Sequence, residues 1–209
     1  MASAPARLPE ILFSRTDAEA AMVDAKTIAA ELIDLARERG MHPVAVFDID
    51  ETLLLNHEED DDLVAANPPV AALHAWLREE KGVTIYVVTA RRWTEWSRKF
   101  AELQLATLGY PAPAELFMVN REHDDDPSAS LFKLEARRKI AAGATSGRPH
   151  AVILNVGDQA SDMMLMEPYS TYNAKFARRN LDPGAYHAIA HADGVSKVGL
   201  KLPERYTVE

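Results

Sequence analysis

Four short apolar runs, separated by stretches with helical periodicity, constrain the fold of this chain more than any other feature. They occupy residues 44–47 (VAVF), 84–89 (TIYVVT), 116–120 (LFMVN) and 151–156 (AVILNV). Their length and β-branched content are those of strands, and runs that are apolar throughout are typical of strands covered on both faces. Strands that alternate with helices in this way predict an α/β fold with a central parallel sheet.

The stretches between these runs supply the helices. The first is expected over residues 16–39, where Thr16 can act as N-cap, Glu19 lies at the capping-box position and Gly40 ends the helix. The apolar side chains that recur at helical spacing in it are Met22, Ile28, Leu32 and Leu35. Further helices are expected over residues 70–81, 94–108 and 131–142.

Length and charge narrow the class of protein. With 209 residues, 47% of them hydrophobic, the chain suffices for one domain with a sizeable core, and we expect a single domain over residues 1–209. A net charge of -9 gives no overall attraction to nucleic acid or anionic lipid, although a local basic patch stays open. No run approaches a membrane span and the first residues contain no apolar h-region of a signal peptide, so we expect a cytoplasmic protein that does not contact membranes.

Two carboxylates directly follow the first apolar run. Asp48 and Asp50 are two residues apart in FDIDET and project to the same side if the extended backbone continues. Two interpretations are open for this pair alone. The acids are solvated at an exposed strand end, or they bind a divalent cation such as Mg²⁺, which takes hard oxygen ligands.

The positions of the other polar residues favour the cation. Thr89 ends the second run, Asp158 follows the fourth, and Asp162 comes four residues later. In an open parallel sheet the ligand site is the crevice at the carboxyl ends of the strands, and these residues all lie at such ends. The acidic run over residues 58–62 has no such placement, and we expect it to be a solvated loop.

Four segments carry a resemblance to a known family. FDIDET (47–52), VVTAR (87–91), FKLEAR (132–137) and VGDQASD (156–162) resemble, in order, the four motifs of the haloacid dehalogenase-like (HAD) phosphatases. The first and last motifs, together with the tail 200–206 (LKLPERY), are similar to the class B and class C acid phosphatases of subfamily IIIB. The resemblance implies a Rossmann-like three-layer sandwich with a minimal cap, formed by a small insertion over about 54–69.

The resemblance also implies roles for single residues. Asp48 matches the nucleophile that becomes an aspartyl phosphate, and Asp50 matches the general acid and base. Thr89 matches the hydroxyl that holds a phosphate oxygen, and Lys133 matches the lysine that stabilises the transferring group, with Lys139 as the alternative. The implied Mg²⁺ ligands are the side chains of Asp48 and Asp158 and the backbone carbonyl of Asp50. Asp162 either binds the ion itself or contacts one of its ligands. The expected substrate contacts are Thr52 and Arg91.

The chain departs from the pattern at two positions. Glu59 and Ala160 stand where the class B and class C signatures carry aromatic residues near the substrate. This makes a nucleotide or aryl preference less expected, and the short insertion indicates an open site.

Phosphoryl transfer needs a cation, a lysine, hydroxyl and amide donors and an in-line nucleophile, and the sequence offers candidate ligands for the cation and candidates for the other groups. We therefore predict a Mg²⁺-dependent phosphomonoesterase that hydrolyses phosphate monoesters. The alternatives are a phosphotransferase, a phosphatase for nucleotides or nucleic-acid ends, and a noncatalytic HAD-like protein for storage or binding. The complete set of expected catalytic residues argues against the last of these.

Overall fold

A computed structural model describes residues 10–57, 60–120, 129–144, 146–159, 162, 179–190 and 196–204. Its strands are β1 (Glu10–Arg15), β2 (His42–Phe47), β3 (Leu54–His57), β4 (Asp60–Ala66), β5 (Thr84–Arg92), β6 (Leu116–Val119), β7 (His150–Gly157), β8 (Tyr186–Ala190) and β9 (Ser196–Lys201). Its helices are α1 (Ala18–Glu38), α2 (Pro68–Ala75), α3 (Glu95–Thr107) and α4 (Ala129–Ala141). None of the described helices is long and apolar enough to cross a membrane.

Seven strands form the central sheet in the order β1-β8-β9-β7-β2-β5-β6. From β9 to β6 all neighbours are parallel, whereas β8 is antiparallel to both β1 and β9. The chain leaves β2 toward β5 and β6 on one side and returns to β7 on the other side. The carboxyl end of β2 is therefore the topological switch point, where open α/β sheets bind ligands.

Helices cover both faces of the sheet. Residues of α1, α2 and α3 pack with Ala45 and Phe47 of β2, whereas Ala136 and Ile140 of α4 pack with Val44. Because successive residues of a strand point to opposite faces, these two clusters lie on opposite sides of the sheet. The predicted α/β fold, a Rossmann-like three-layer sandwich with a mostly parallel central sheet, is confirmed.

The four predicted strands are confirmed as β2, β5, β6 and β7, but the sequence did not predict β1, β8 and β9. Strand β1 lies at the edge of the sheet, and only Phe13 of its six residues is buried. A strand exposed over most of its length lacks the continuous apolar run by which the central strands were recognised.

Helix α1 differs from its prediction at its first turn. The expected Thr16 cap is wrong, because Asp17 is the N-cap and its carboxylate accepts a 2.8 Å hydrogen bond from the backbone N–H of Ala20. Gly40 follows the end of the helix with φ +67°, as expected. The expected core position of Leu35 is 37% exposed. The buried residues of the helix are mostly small: Ala21, Met22, Ala25, Ala29, Ile33 and Ala36.

The insertion between β2 and β5 begins with an antiparallel hairpin of β3 and β4. The loop expected over residues 58–62 is wrong in part, because β4 already begins at Asp60. Helix α2, expected over residues 70–81, is α-helical only to Ala75 and continues as a π-helical turn over Trp76–Glu80.

Candidate active site

Asp48 is the first residue after β2. Its backbone N–H donates a 3.0 Å hydrogen bond to Val156 of β7, so the ladder between the two strands extends to this position. Its side chain is 8% exposed. Since Val46 packs on the α4 side of the sheet, alternation directs the carboxylate of Asp48 to the same side.

Three buried carboxylates meet at this edge of the sheet. Asp48, Asp158 and Asp162 each offer one oxygen, and these oxygens lie within 4.8 Å of one another. Asp162 reaches the cluster across Gly157, where an added Cβ would overlap its carboxylate. The glycine before Asp158 is therefore required for the close approach of Asp162.

Lys133 of α4 supplies positive charge to the cluster. Its Nζ lies 3.3 Å from Oδ2 of Asp48, forms an ion pair with Asp162, and is shielded from solvent in a side chain that is 3% exposed. Burial alone lowers the pKa of Lys133, but Asp162 and Asp48 outweigh it and raise the pKa, so that the ammonium group keeps its proton. One turn later, Nη1 of Arg137 donates to the backbone carbonyl of Asp162 at 3.0 Å.

Among the described residues, the three carboxylates lie close together and Lys133 forms ion pairs with two of them. Burial, and then the charge of Asp162, raise the pKa of Asp48 well above its usual range, against the opposing effect of Lys133. The same two causes raise the pKa of Asp158 to about 6. Among the described residues, Oδ1 of Asp48 is buried without a hydrogen-bond partner. Crowded carboxylates with a free oxygen fit a hard divalent cation such as Mg²⁺.

Asp50 has a different environment from Asp48. The strand ends at Phe47, and the backbone then turns, with Glu51 in the left-handed region at φ +51°. The Asp50 side chain is 41% exposed and its carboxylate lies outside the group of three. It accepts hydrogen bonds from Nε of Arg91 at 2.9 Å and from Nη2 at 2.6 Å. Nη1 of Arg91 donates to Gln104 of α3 at 2.7 Å, which fixes the guanidinium group.

The two expected threonines are both buried. Thr89, near the carboxyl end of β5, is 1% exposed, and its hydroxyl oxygen accepts a 3.2 Å hydrogen bond from the backbone N–H of Arg91. Thr52 is fully buried in the turn after β2, and its hydroxyl has no hydrogen-bond partner within the described part of the chain. Lys139, the alternative to Lys133, is exposed in the last turn of α4.

Sequence reasoning did not assign two residues near the acidic cluster, Gln159 and Asn155, of which Gln159 forms hydrogen bonds to the aspartates. Gln159 donates from its backbone N–H to Asp162 at 3.1 Å and from its side chain to Asp158 at 2.7 Å. Its place beside Asp158 was a usable signal. Asn155 lines the same region within β7, in an apolar run that gave no such signal. Glu59, Ala160 and residues 205–206 of the tail lie outside the described residues.

No protein-family model matches this chain, and no curated protein matches it. Two chains of solved structures match it. One comes from the structure of the Pnkp1/Rnl/Hen1 RNA repair complex, with 17% identity and a TM-score of 0.43, and the match covers 60% of this chain and 39% of that chain. A likeness at that identity and TM-score carries no argument about activity.

Proposed function

We propose that this protein is a Mg²⁺-dependent phosphomonoesterase of the HAD-like acid phosphatase type. The observation that carries the proposal is the buried cluster of Asp48, Asp158 and Asp162 with Lys133 in contact with two of its members. Carboxylates in a solvated structural role have no need of burial or of mutual crowding. A cation, a lysine and a nucleophilic carboxylate together are the components of phosphoryl transfer.

Asp48, Asp158 and Asp162 would hold the Mg²⁺ ion, together with the backbone carbonyl of Asp50. The bound ion supplies the charge that offsets the repulsion among these carboxylates and the phosphate group of the substrate.

Asp48 then attacks the phosphorus atom in line with the ester oxygen. The new bond joins a carboxylate oxygen of Asp48 to phosphorus, the bond from phosphorus to the ester oxygen breaks, and Asp50 gives its proton to the departing oxygen. Asp50 next takes a proton from a water that attacks the phosphoaspartate. This releases inorganic phosphate and restores Asp48. Lys133 and Thr89 hold the oxygens of the transferring group.

Arg91 couples the binding of substrate to the release of the general acid, Asp50. In the free protein its guanidinium group is bonded to Asp50, which is 41% exposed. A phosphate dianion competes for the same forked donors. Transfer of Arg91 to the substrate releases Asp50 for proton transfer. The hairpin of β3 and β4 then serves as a small cap, which leaves room for varied phosphate monoesters.

The test is hydrolysis of p-nitrophenyl phosphate by purified protein. Added Mg²⁺ is expected to support turnover, EDTA to abolish it and excess Mg²⁺ to restore it, while Ca²⁺ inhibits because its larger, looser coordination shell misplaces the nucleophile. Asp158→Asn is the matched variant, since it removes one ligand and leaves Asp48 in place. Full turnover in metal-free buffer contradicts the proposal. A phosphate-release screen over nucleotides, sugar phosphates, phosphopeptides and nucleic-acid ends then identifies the substrate.

A further inference from the structure

Asn155 is a buried amide in the middle of an apolar strand. All eight residues of β7 are buried, and Asn155 is 2% exposed. Within the described part of the chain, neither its Nδ2 nor its Oδ1 has a hydrogen-bond partner. An amide left in this state carries a free-energy penalty that a leucine of similar shape avoids. Its presence in the core therefore needs a cause.

The register of the sheet places Asn155 beside the nucleophile. Asn155 is paired with Val46 of β2, and Asp48 follows Val46 by two residues on the same face. The β7 residue two positions beyond Asn155 is Gly157, which has no side chain to stand next to Asp48. The amide and the carboxylate are thus diagonal neighbours on two adjacent strands.

Asn155 also shares one narrow cavity with charged groups of both signs, namely Asp48, Lys133, Arg137 and Asp162. Lysine and arginine only donate hydrogen bonds, and ionised carboxylates only accept them, whereas an amide does both. Oδ1 of Asn155 is suited to accept from a cation while Nδ2 donates to a carboxylate. Oδ1 of Asp48 is buried and without a partner among the described residues. Neither aspartate nor leucine at position 155 offers this combination.

We propose that Asn155 is a positioning residue for the nucleophile. Its amide holds the Asp48 carboxylate through one bridging water in the orientation that binds the cation and attacks phosphorus. This inference rests on the proposed function. It adds a residue that supports the metal ligands from within the sheet, and groups that orient metal ligands are worth roughly 10–100-fold in metal affinity or activity.

Asn155→Leu separates this role from a purely structural one. If the amide is only a tolerated polar group, leucine leaves Mg²⁺ binding unchanged and keeps or raises the thermal stability of the metal-free protein. If Asn155 positions Asp48, the same variant keeps that stability but binds Mg²⁺ about 10–100-fold more weakly. In p-nitrophenyl phosphate hydrolysis at saturating Mg²⁺, kcat is then expected to fall while KM changes little.

The measurement is titration calorimetry of Mg²⁺ into the full chain, with melting curves in EDTA. Ile140→Val is the matched control, because Ile140 is fully buried in the same layer between α4 and the sheet. It perturbs packing without removing a polar group, and its Mg²⁺ affinity is expected to equal that of the wild type. Asn155→Thr keeps a donor and an acceptor in one hydroxyl, and its affinity is expected to lie between those of the wild type and Asn155→Leu.

Wild-type Mg²⁺ affinity in a folded Asn155→Leu variant overturns the inference and leaves the proposed function intact. If Asn155→Leu does not fold, the comparison of Asn155→Thr with Ile140→Val decides. The inference is overturned if these two variants lose the same amount of Mg²⁺ affinity relative to the wild type. No Mg²⁺ binding by the wild-type protein instead removes the proposed function, and this inference with it.

Discussion

Strands β2 and β7 carry polar residues at both of their ends, and the two ends are built differently. At the amino edge they begin with His42 and His150, which are paired in register with ring centroids 5.5 Å apart. Each histidine shares a hydrogen bond with a hydroxyl, His42 with Thr84 at 2.7 Å and His150 with Ser146 at 2.6 Å. At the carboxyl edge, by contrast, three carboxylates crowd around one lysine.

The difference concerns charge. Burial lowers the pKa of both histidines, and the positive charge of Arg148 acts in the same direction, so both imidazole rings are neutral at pH 7. At the carboxyl edge, among the described residues, the three buried carboxylates outnumber the one lysine that is paired with them. Neutral polar groups at a strand end fit a role in the fold, whereas crowded buried carboxylates fit a ligand-binding site. Variants at the two edges test this distinction.

The largest effect is expected from Asp48→Ala. Turnover should disappear for every substrate, because no phosphoaspartate forms without the carboxylate. In EDTA the same variant should melt at a higher temperature than the wild type, since one of three crowded carboxylates is gone. Steady-state kinetics and melting curves measure the two effects. A variant that is both inactive and less stable than the wild type would indicate that Asp48 has a structural role and is not the nucleophile.

Asp50→Asn should show a loss that depends on the leaving group. The general acid contributes roughly 10²–10⁴-fold, mostly when the departing alkoxide is a strong base. The variant should therefore lose much more kcat/KM for an alkyl phosphate than for p-nitrophenyl phosphate, whose leaving group hardly needs a proton. The comparison uses kcat/KM because, in the proposed mechanism, hydrolysis of the phosphoenzyme also requires Asp50 and can limit kcat. Equal losses for the two substrates would exclude the acid role.

Lys133→Ala should lower kcat on the order of 10²-fold or more, the scale seen when one partner of the transition-state charge is removed. Lys139→Ala is the matched control on the same helix and should stay near wild type, because Lys139 is exposed. Circular dichroism checks that both variants are folded. The opposite ranking of the two lysines would show that the site does not use the contact between Lys133 and Asp48.

The smallest effect on activity is expected at the amino edge. His150→Gln should leave kcat/KM at pH 7 unchanged but alter how the free energy of unfolding depends on pH. The folded-state pKa of His150 is lowered, so its contribution to stability is complete above the unfolded pKa of about 6.5 and is lost as pH falls through the range between the two values. Urea unfolding between pH 7 and 5 should show a steeper loss for the wild type than for the variant. Identical slopes would mean that His150 does not titrate with folding.

The parts of the fold that could be predicted from the sequence are the strands that are buried along their whole length. The four central strands are covered on both faces, so each appears in the sequence as an uninterrupted apolar run. Strand β9 (SKVGLK) is also buried, but its Lys201 is accommodated by an ion pair with Glu204 at 3.0 Å. The pattern of apolar residues in the sequence does not predict that a lysine at this position is buried. In the same way, Thr16 and Asp17 are both good caps, and the choice between them depends on backbone geometry.

At the site, the aspartates at strand ends were identifiable because strand ends mark one edge of the sheet. The contact of Arg91 with Asp50 was not identifiable, since it depends on the turn after Phe47 and on an anchor from Gln104 of α3. Asn155 could not be predicted as part of the site for a different reason. Its neighbours in sequence are apolar, and the charged groups around it come from other elements.

The order of strands in the sheet bears on how the protein is made. The backbone N–H of Leu202 donates to the carbonyl of Gly157 at 2.8 Å, and β9 pairs along the flank of β7 that faces away from β2. On the ribosome, β7 emerges before β9 and presents that flank unpaired. Until β9 arrives, the nascent chain exposes a long apolar edge beside Asp158, and during this interval the edge can pair with other chains.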